Sequence, residues 1–269
     1  MRQTRAGNQG SALINVMTDA AGKAGRNLVR NFGDIENLQV SKKGPADFVS
    51  EADRRAEKII FDTLSKARPK YGFVMEEQGV VKGEDVSNRW IVDPLDGTLN
   101  FLHGLPHFAV SIALERDGEL FAGVVYEPIS DQMFWAEKGQ GAYLNSRRLR
   151  VSNRRDMSES VFATGIPFQG RDGHKPFLGQ LEQVMAVSAG VRRFGAAALD
   201  LAYVAAGRYE GFWEQGLNAW DMAAGIVLVR EAGGMVSDFA GRRRFLESGE
   251  IIAANSELHD SLRKLLRQG

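Results

Sequence analysis

The apolar pattern of this chain changes its period near Val151, and that change limits the folds open to it. Upstream, three β-type runs (Phe108–Arg116, Leu120–Tyr126 and Gln132–Glu137) are separated by Asp117-Gly118 and by Pro128 to Asp131. Such runs joined by such turn residues predict antiparallel hairpins. Downstream, strand and helix patterns alternate. Strands are expected at Ser160–Thr164, Val191–Phe194, Tyr209–Trp213, Met235–Asp238 and Ile251–Ala254. Helices are expected at Lys175–Val187, Ala196–Ala206, Trp220–Ala232 and Ser256–Arg267. An α+β lobe, residues 1–150, therefore precedes an α/β lobe, residues 151–269, fused without a linker or repeat.

Ahead of the hairpins, Leu13, Ile14, Met17, Ala20, Ala21, Ala24 and Leu28 follow helical spacing within Ser11–Phe32. A loop through Ser41-Lys42-Lys43-Gly44-Pro45 leads to a second helix. It begins near Ser50, carries Ala56, Ile59, Ile60, Leu64 and Ala67 on one face, and stops before Pro69. Strands follow at Phe73–Glu76 and Trp90–Asp93. Lys138-Gly139-Gln140-Gly141-Ala142 lacks the third glycine and the strand–helix setting of a dinucleotide loop, so it reads as a hairpin turn.

Chemistry gathers at the ends of these elements. Trp90-Ile91-Val92-Asp93-Pro94-Leu95-Asp96-Gly97-Thr98-Leu99-Asn100-Phe101 is an apolar strand ending in two carboxylates three residues apart. Pro94 fixes the turn between them, and two such oxygen donors suit a hard divalent cation. Gly97 and Thr98 stand where a helix can start and offer backbone N–H groups to a phosphate. Phe73-Val74-Met75-Glu76-Glu77 is a second apolar strand ending in acids. Ala219-Trp220-Asp221-Met222-Ala223-Ala224-Gly225 places a third acid at the start of an apolar helix. Each has a plainer reading, as an Asp-Gly turn, as solvated strand-end charges, or as an acid complementing a helix dipole.

Composition removes other chemistries. With no cysteine, disulfides, thiolate nucleophiles and Cys-ligated zinc are excluded, and four histidines leave little for a His-rich metal site. His103 and His107 are separated by Pro106 and read as loop residues. Basic and acidic residues balance at 34 each, so no net field draws the chain to nucleic acid or membrane. No apolar run reaches membrane-spanning length, and Met1 to Gly10 lacks a signal-peptide core, so the cytoplasm is the expected compartment.

Asp93-Pro94-Leu95-Asp96-Gly97-Thr98 with Asn100-Phe101, Glu76-Glu77, and Trp220-Asp221-Met222-Ala223-Ala224-Gly225 resemble the three signatures of the inositol monophosphatase family. That family belongs to the lithium-sensitive, magnesium-dependent sugar phosphatases. The likeness runs from about Ala12 to about Leu266. It implies an αβαβα layered sandwich with the active site between the lobes, a homodimer, and inhibition by Li⁺.

The resemblance also implies roles. Glu76, Asp93, Asp96 and Asp221, with the backbone carbonyl of Leu95, match the Mg²⁺ ligands. Four carboxylates in one cleft repel one another without a cation. Asp53 and Thr98 match a hydrogen-bonded pair that orients the attacking water, with Glu76 helping to take its proton. Ser50-Glu51-Ala52-Asp53 also reads as a plain helix start. Lys42 falls where relatives carry a loop lysine, and Lys43 offers an alternative register. Gly195, Ala196, Ala197 and Glu214 match the segment facing the substrate ring, joined by Asp96, Gly97, Thr98 and Asp221. Ala196 stands where many relatives have Ser or Thr, Met75 where many have Gly, and Gln78 where Ser is frequent.

The implied reaction is hydrolysis of inositol 1-phosphate or a similar polyol phosphate. The same site chemistry also suits histidinol phosphate, fructose 1,6-bisphosphate or a 3′-phosphonucleotide, and Arg192-Arg193 keeps a bisphosphate open. An additional role, binding RNA-synthesis machinery, is known among bacterial proteins resembling this chain, although the balanced charge gives it no support.

Overall fold

The apolar stripe read in the first helix is buried. α1 (Ala12–Phe32) hides Leu13, Ile14, Met17, Ala20, Ala21, Ala24 and Leu28 in the computed structural model, which describes residues 10–32, 40–44 and 47–267. β1 (Val40–Gly44) and β2 (Asp47–Ser50) pair antiparallel where a loop was expected. Each is too short to print a period-2 signal. α2 (Glu51–Ala67) buries Ala52, Ala56, Ile60 and Leu64 and, with them, the acids Asp53 and Glu57.

The first large sheet is built from β3 (Tyr71–Met75), β4 (Gly79–Val81), β5 (Asp85–Asp96), β6 (Ala109–Arg116), β7 (Glu119–Glu127), β8 (Gln132–Glu137), β9 (Gly141–Leu144) and β10 (Arg147–Arg148). Its order is β10-β9-β8-β7-β6-β5-β3-β4. Only the β3–β5 pair is parallel. The short helix α3 (Thr98–Leu102) leaves the end of β5. The two expected hairpins are present and extended by β9 and β10, and Lys138–Gln140 forms the turn into β9.

The second sheet alternates with helices as expected: β11 (Val161–Thr164), α4 (His174–Met185), β12 (Gly190–Arg192), α5 (Ala197–Ala205), β13 (Gly211–Gln215), α6 (Ala219–Glu231), β14 (Met235–Ser237), α7 (Phe245–Ser248), β15 (Glu250–Ala254) and α8 (His259–Leu266). The order is β12-β11-β13-β15-β14, parallel across the first three strands and antiparallel across the rest. Two boundaries matter for the site. The strand expected at Tyr209–Trp213 starts later and runs to Gln215, so Glu214 lies within it. The strand expected to reach Phe194 stops at Arg192, freeing the segment before α5.

Stacked, these elements give the αβαβα sandwich. α1 and α2 cover the outer face of the first sheet, α5 and α6 fill the space between the sheets, and α4 and α8 cover the second. α6 is buried without interruption from Met222 to Val229, as a helix of a middle layer must be. Two glycines permit that depth. A β-carbon on Gly123 of β7 would meet the backbone of Ala224, and one on Gly225 would meet Leu201 of α5.

Candidate active site

Asp93 and Asp96 owe their convergence to a fault in the ladder. Asp93 pairs with Ser111 of β6, but Asp96 pairs with Ala109, so three steps along β5 match two along β6. That is a β-bulge, which re-aims side chains. Pro94 is accommodated there because a bulge leaves its missing N–H unneeded. Both acids are buried, at 2% and 9% exposure. Asp93 Oδ1 accepts the Leu95 N–H at 2.9 Å, which stiffens the turn.

Asp96 reaches across to the second sheet's helices. The N–H of Ala197 donates to its Oδ1 at 3.2 Å and that of Ala198 to its Oδ2 at 2.8 Å. The first turn of α5 thus seats on a carboxylate, the favoured partner for a helix N-terminus. Ala197 lies beside Asp96, and Gly195 and Ala196 lie beside Gly97. The N–H groups of Ala197 and Ala198, however, are directed to Asp96.

Glu76 follows β3, and its N–H donates to Val92 O at 3.3 Å, next to Asp93 in β5. Asp221 sits in the first turn of α6, and its Oδ2 accepts the Asn218 N–H at 2.6 Å. The helix-start reading of Asp221 is therefore true, and it also faces the other acids. Burial, and then the charges of Glu76, Asp96, Asp221 and Asp53, push Asp93 well above the usual carboxylate range. Asp96 is raised likewise by burial, Asp221, Glu214 and Glu76, against the pull of the Ala198 N–H. Among the described residues, no three acids or histidines are gathered tightly enough to enclose an ion as they stand.

Thr98, the first residue of α3, donates through Oγ1 to Leu95 O at 2.9 Å and lies 3.4 Å from Asp53 Oδ2. Asp53 is 1% exposed and stands in the first turn of α2. Gly97 precedes Thr98 at φ 91, where a β-carbon would also stand 3.0 Å from His107 O. Only glycine enters that turn without strain.

Glu214, partly buried in β13, closes the far side. Burial and the Asp221 charge push it up to about 8, while Arg193 and Arg171 pull it down. It also forms a wall of a 360 Å³ cavity shared with Arg171, Asp172, Phe177, Trp213 and Gln215. Lys42 belongs to β1, and its side chain lies outside the described residues.

Three residues were given no role from the sequence. Asn100 Nδ2 donates to His107 O and to Phe194 O, both at 2.8 Å, tying the turn after α3 to the segment before α5. Asp200 is buried on α5 and raised by burial and by Glu214 and Asp96. Glu57 is buried one turn after Asp53. The signal for the last two was available, namely an acid on the apolar face of a helix.

The comparisons agree with this arrangement. The model of the inositol monophosphatase family matches residues 10–269. The inositol-1-monophosphatase of Mesorhizobium japonicum is 59% identical over 96% of this chain and 97% of its own length. Nus factor SuhB of Pseudomonas aeruginosa is 46% identical over 93% and 94%. The crystal structure of extragenic suppressor protein SuhB from Bartonella henselae superimposes with TM-score 0.94 at 59% identity, covering 96% of this chain and 100% of that one. A bulged strand end, a strand tip and a helix start bring their acids together in a chain alike over nearly its whole length to these proteins; it belongs to the inositol monophosphatase family and is a phosphatase.

Proposed function

We propose that the chain is a Mg²⁺-dependent phosphomonoesterase acting on inositol 1-phosphate or a similar polyol phosphate. The observation that carries this reading is the mutual repulsion of Asp93, Asp96, Glu76 and Asp221 in a desolvated cleft, which a dication relieves. The donors are all hard oxygens, and the Leu95 carbonyl beside them retains a second lone pair after accepting from Thr98. Those four acids and that carbonyl would hold the ion. Bound there, Mg²⁺ supplies charge stabilisation to the phosphoryl oxygens and acidifies a water.

The chain's own residues do the rest. Thr98, held between Leu95 O and Asp53, orients the water through its hydroxyl. Glu76 receives the water's proton. Gly97 and Thr98 present N–H groups to the phosphate, and Glu214, ionised once a cation offsets the Asp221 charge that raises it, accepts hydroxyls of the alcohol through charge-assisted bonds. Gly195 and Ala196 line the same side.

A panel of phosphate esters assayed with and without Mg²⁺ tests the proposal: inositol 1-phosphate, glycerol 2-phosphate, histidinol phosphate, fructose 1,6-bisphosphate and a 3′-phosphonucleotide. Arg193 and Arg171 beside Glu214 make the bisphosphate the rival to watch. Turnover of none of them, or full turnover in excess chelator, refutes the reading. Homodimerisation belongs to the same proposal, and sedimentation at several concentrations decides it. No described helix is long and apolar enough to cross a membrane, in keeping with a cytoplasmic place of action.

A second reading adds a role in binding RNA-synthesis machinery. It draws on the relative named Nus factor SuhB. Retention of Asp93→Asn protein by an RNA polymerase fraction would establish it apart from catalysis.

A further inference from the structure

Glu57 is fully buried on α2, one turn after Asp53. Among the described residues, no cation lies within hydrogen-bonding reach of its carboxylate. Instead the N–H of Glu77 donates to Oε2 at 2.8 Å and that of Gln78 to Oε1 at 3.0 Å. Those donors belong to the tight turn that carries Glu76. β3 and β4 close at the Met75–Gly79 pair, so the ladder takes neither N–H. An isolated carboxylate is costly to bury, and an apolar residue there would pack α2 at less cost. What the acid adds is bidentate control of two successive amides. Residues four apart share a helix face, so the same face of α2 holds Thr98 through Asp53 and the β3 tip through Glu57.

We propose that Glu57 is a positioning residue for Glu76: with Asp53 it makes α2 a bracket that fixes the β3 tip and the Thr98 hydroxyl at one separation. The inference rests on the reading that Glu76 serves the metal and the water. The hydrogen bonds of Glu57 go to the two amides that follow Glu76, so its loss acts on the geometry of Glu76. A glutamine in its place keeps the size but turns an NH₂ group toward one of the two N–H donors, and the turn tips. Turnover and metal affinity then fall while substrate KM holds.

The test compares Glu57→Gln, Glu76→Gln and the double variant. Tb³⁺ luminescence, sensitised by the protein's tryptophans, reads metal affinity without substrate, and steady-state kinetics in Mg²⁺ give kcat and KM. Glu57→Gln is expected to weaken Tb³⁺ binding and to lower kcat, each about 10- to 100-fold, with KM unchanged. The double variant is expected to be no worse than Glu76→Gln, as coupled residues behave. Wild-type Tb³⁺ affinity in Glu57→Gln, strictly additive losses, or a change in melting temperature alone would each overturn the bracket. Weakened binding in Glu76→Gln beside normal binding in Glu57→Gln removes the bracket and leaves the proposed function standing. Normal binding in Glu76→Gln removes the ligand assignment and the bracket with it. Should Glu57→Gln not fold, amide exchange on the wild-type protein decides. Both Glu77 and Gln78 amides are expected to be protected despite their place in a surface turn, and free exchange of either one refutes the inference.

Discussion

The carboxylate of Glu214 occupies the space that any side chain on Gly165 would fill, so that a β-carbon there would overlap it. Thr164 and Trp213 are partners across the parallel ladder of β11 and β13, and the residues that follow them, glycine beyond the end of β11 and glutamate within β13, are brought together. Gly165→Ala is therefore expected to push Glu214 out of the cleft. The measurement is kcat/KM for two esters, with a fall of about 10-fold or more for inositol 1-phosphate and a smaller one for glycerol 2-phosphate. An equal fall for both would mean that the alanine disturbs the fold or the metal acids.

Glu214→Gln asks the same question without moving the chain. The amide keeps the shape, weakens the hydroxyl bonds and adds a donor. A loss of about 10-fold in kcat/KM for inositol 1-phosphate is expected, about 1.4 kcal/mol. No loss for either ester would make Glu214 a wall of the cavity and nothing more.

Asp93→Asn is expected to abolish turnover while the fold persists, since the amide oxygen still accepts the Leu95 N–H. The remaining acids repel one another less, so the metal-free protein is expected to gain about 1 kcal/mol, or about 2–4 °C in Tm. Calorimetry in chelator checks the sign. A large fall in Tm would show that Asp93 holds the turn chiefly through its charge.

Thr98→Ala and Asp53→Asn are each expected to lower kcat by about 10²–10⁴-fold, the range for a positioned proton-handling group. The double variant is expected to lose little more, because one hydroxyl joins the two residues. Independent losses that multiply would separate them.

His259 gives stability a pH dependence remote from the acids. Burial, and then Arg263, lowers its proton affinity below the ordinary value of 6.5. The native ring stays neutral where the unfolded chain has taken a proton. The contribution is therefore complete above pH 6.5 and lost as pH falls below it. Urea unfolding at pH 7.5 and 5.5 is expected to show a steeper decline in the wild type than in His259→Gln. Parallel declines would place the slope on other groups.

Much of the molecule was legible because its signals are local. The stripes of α1 and α2, the turn at Lys138 and the alternation after Val151 each depend on neighbours in sequence, and the structure keeps them. β1 and β2 went unread because so short a pair has no period to display. Glu214 was placed past the end of its strand because apolarity ends at Trp213, whereas the ladder with β15 continues to Gln215. The signature acids were legible as types at element ends. Their coupling was legible only through the family resemblance, because it depends on a bulge at Pro94 and on α5 arriving over Asp96 from another sheet. The burial of Glu57 was legible from its place on the apolar face of α2, but its partners were not, since they are amides about twenty residues away.

The place of α6 has a consequence for biosynthesis. Asp221 opens the helix packed between both sheets, and it emerges from the ribosome long after Asp53, Glu76, Asp93 and Asp96. The nascent first sheet can pair while its acids remain hydrated on an open face. Full desolvation and the added charge of Asp221 are imposed only when the middle layer docks. The chain thus meets its least favourable electrostatics late, in the step that buries the apolar surface between the two sheets.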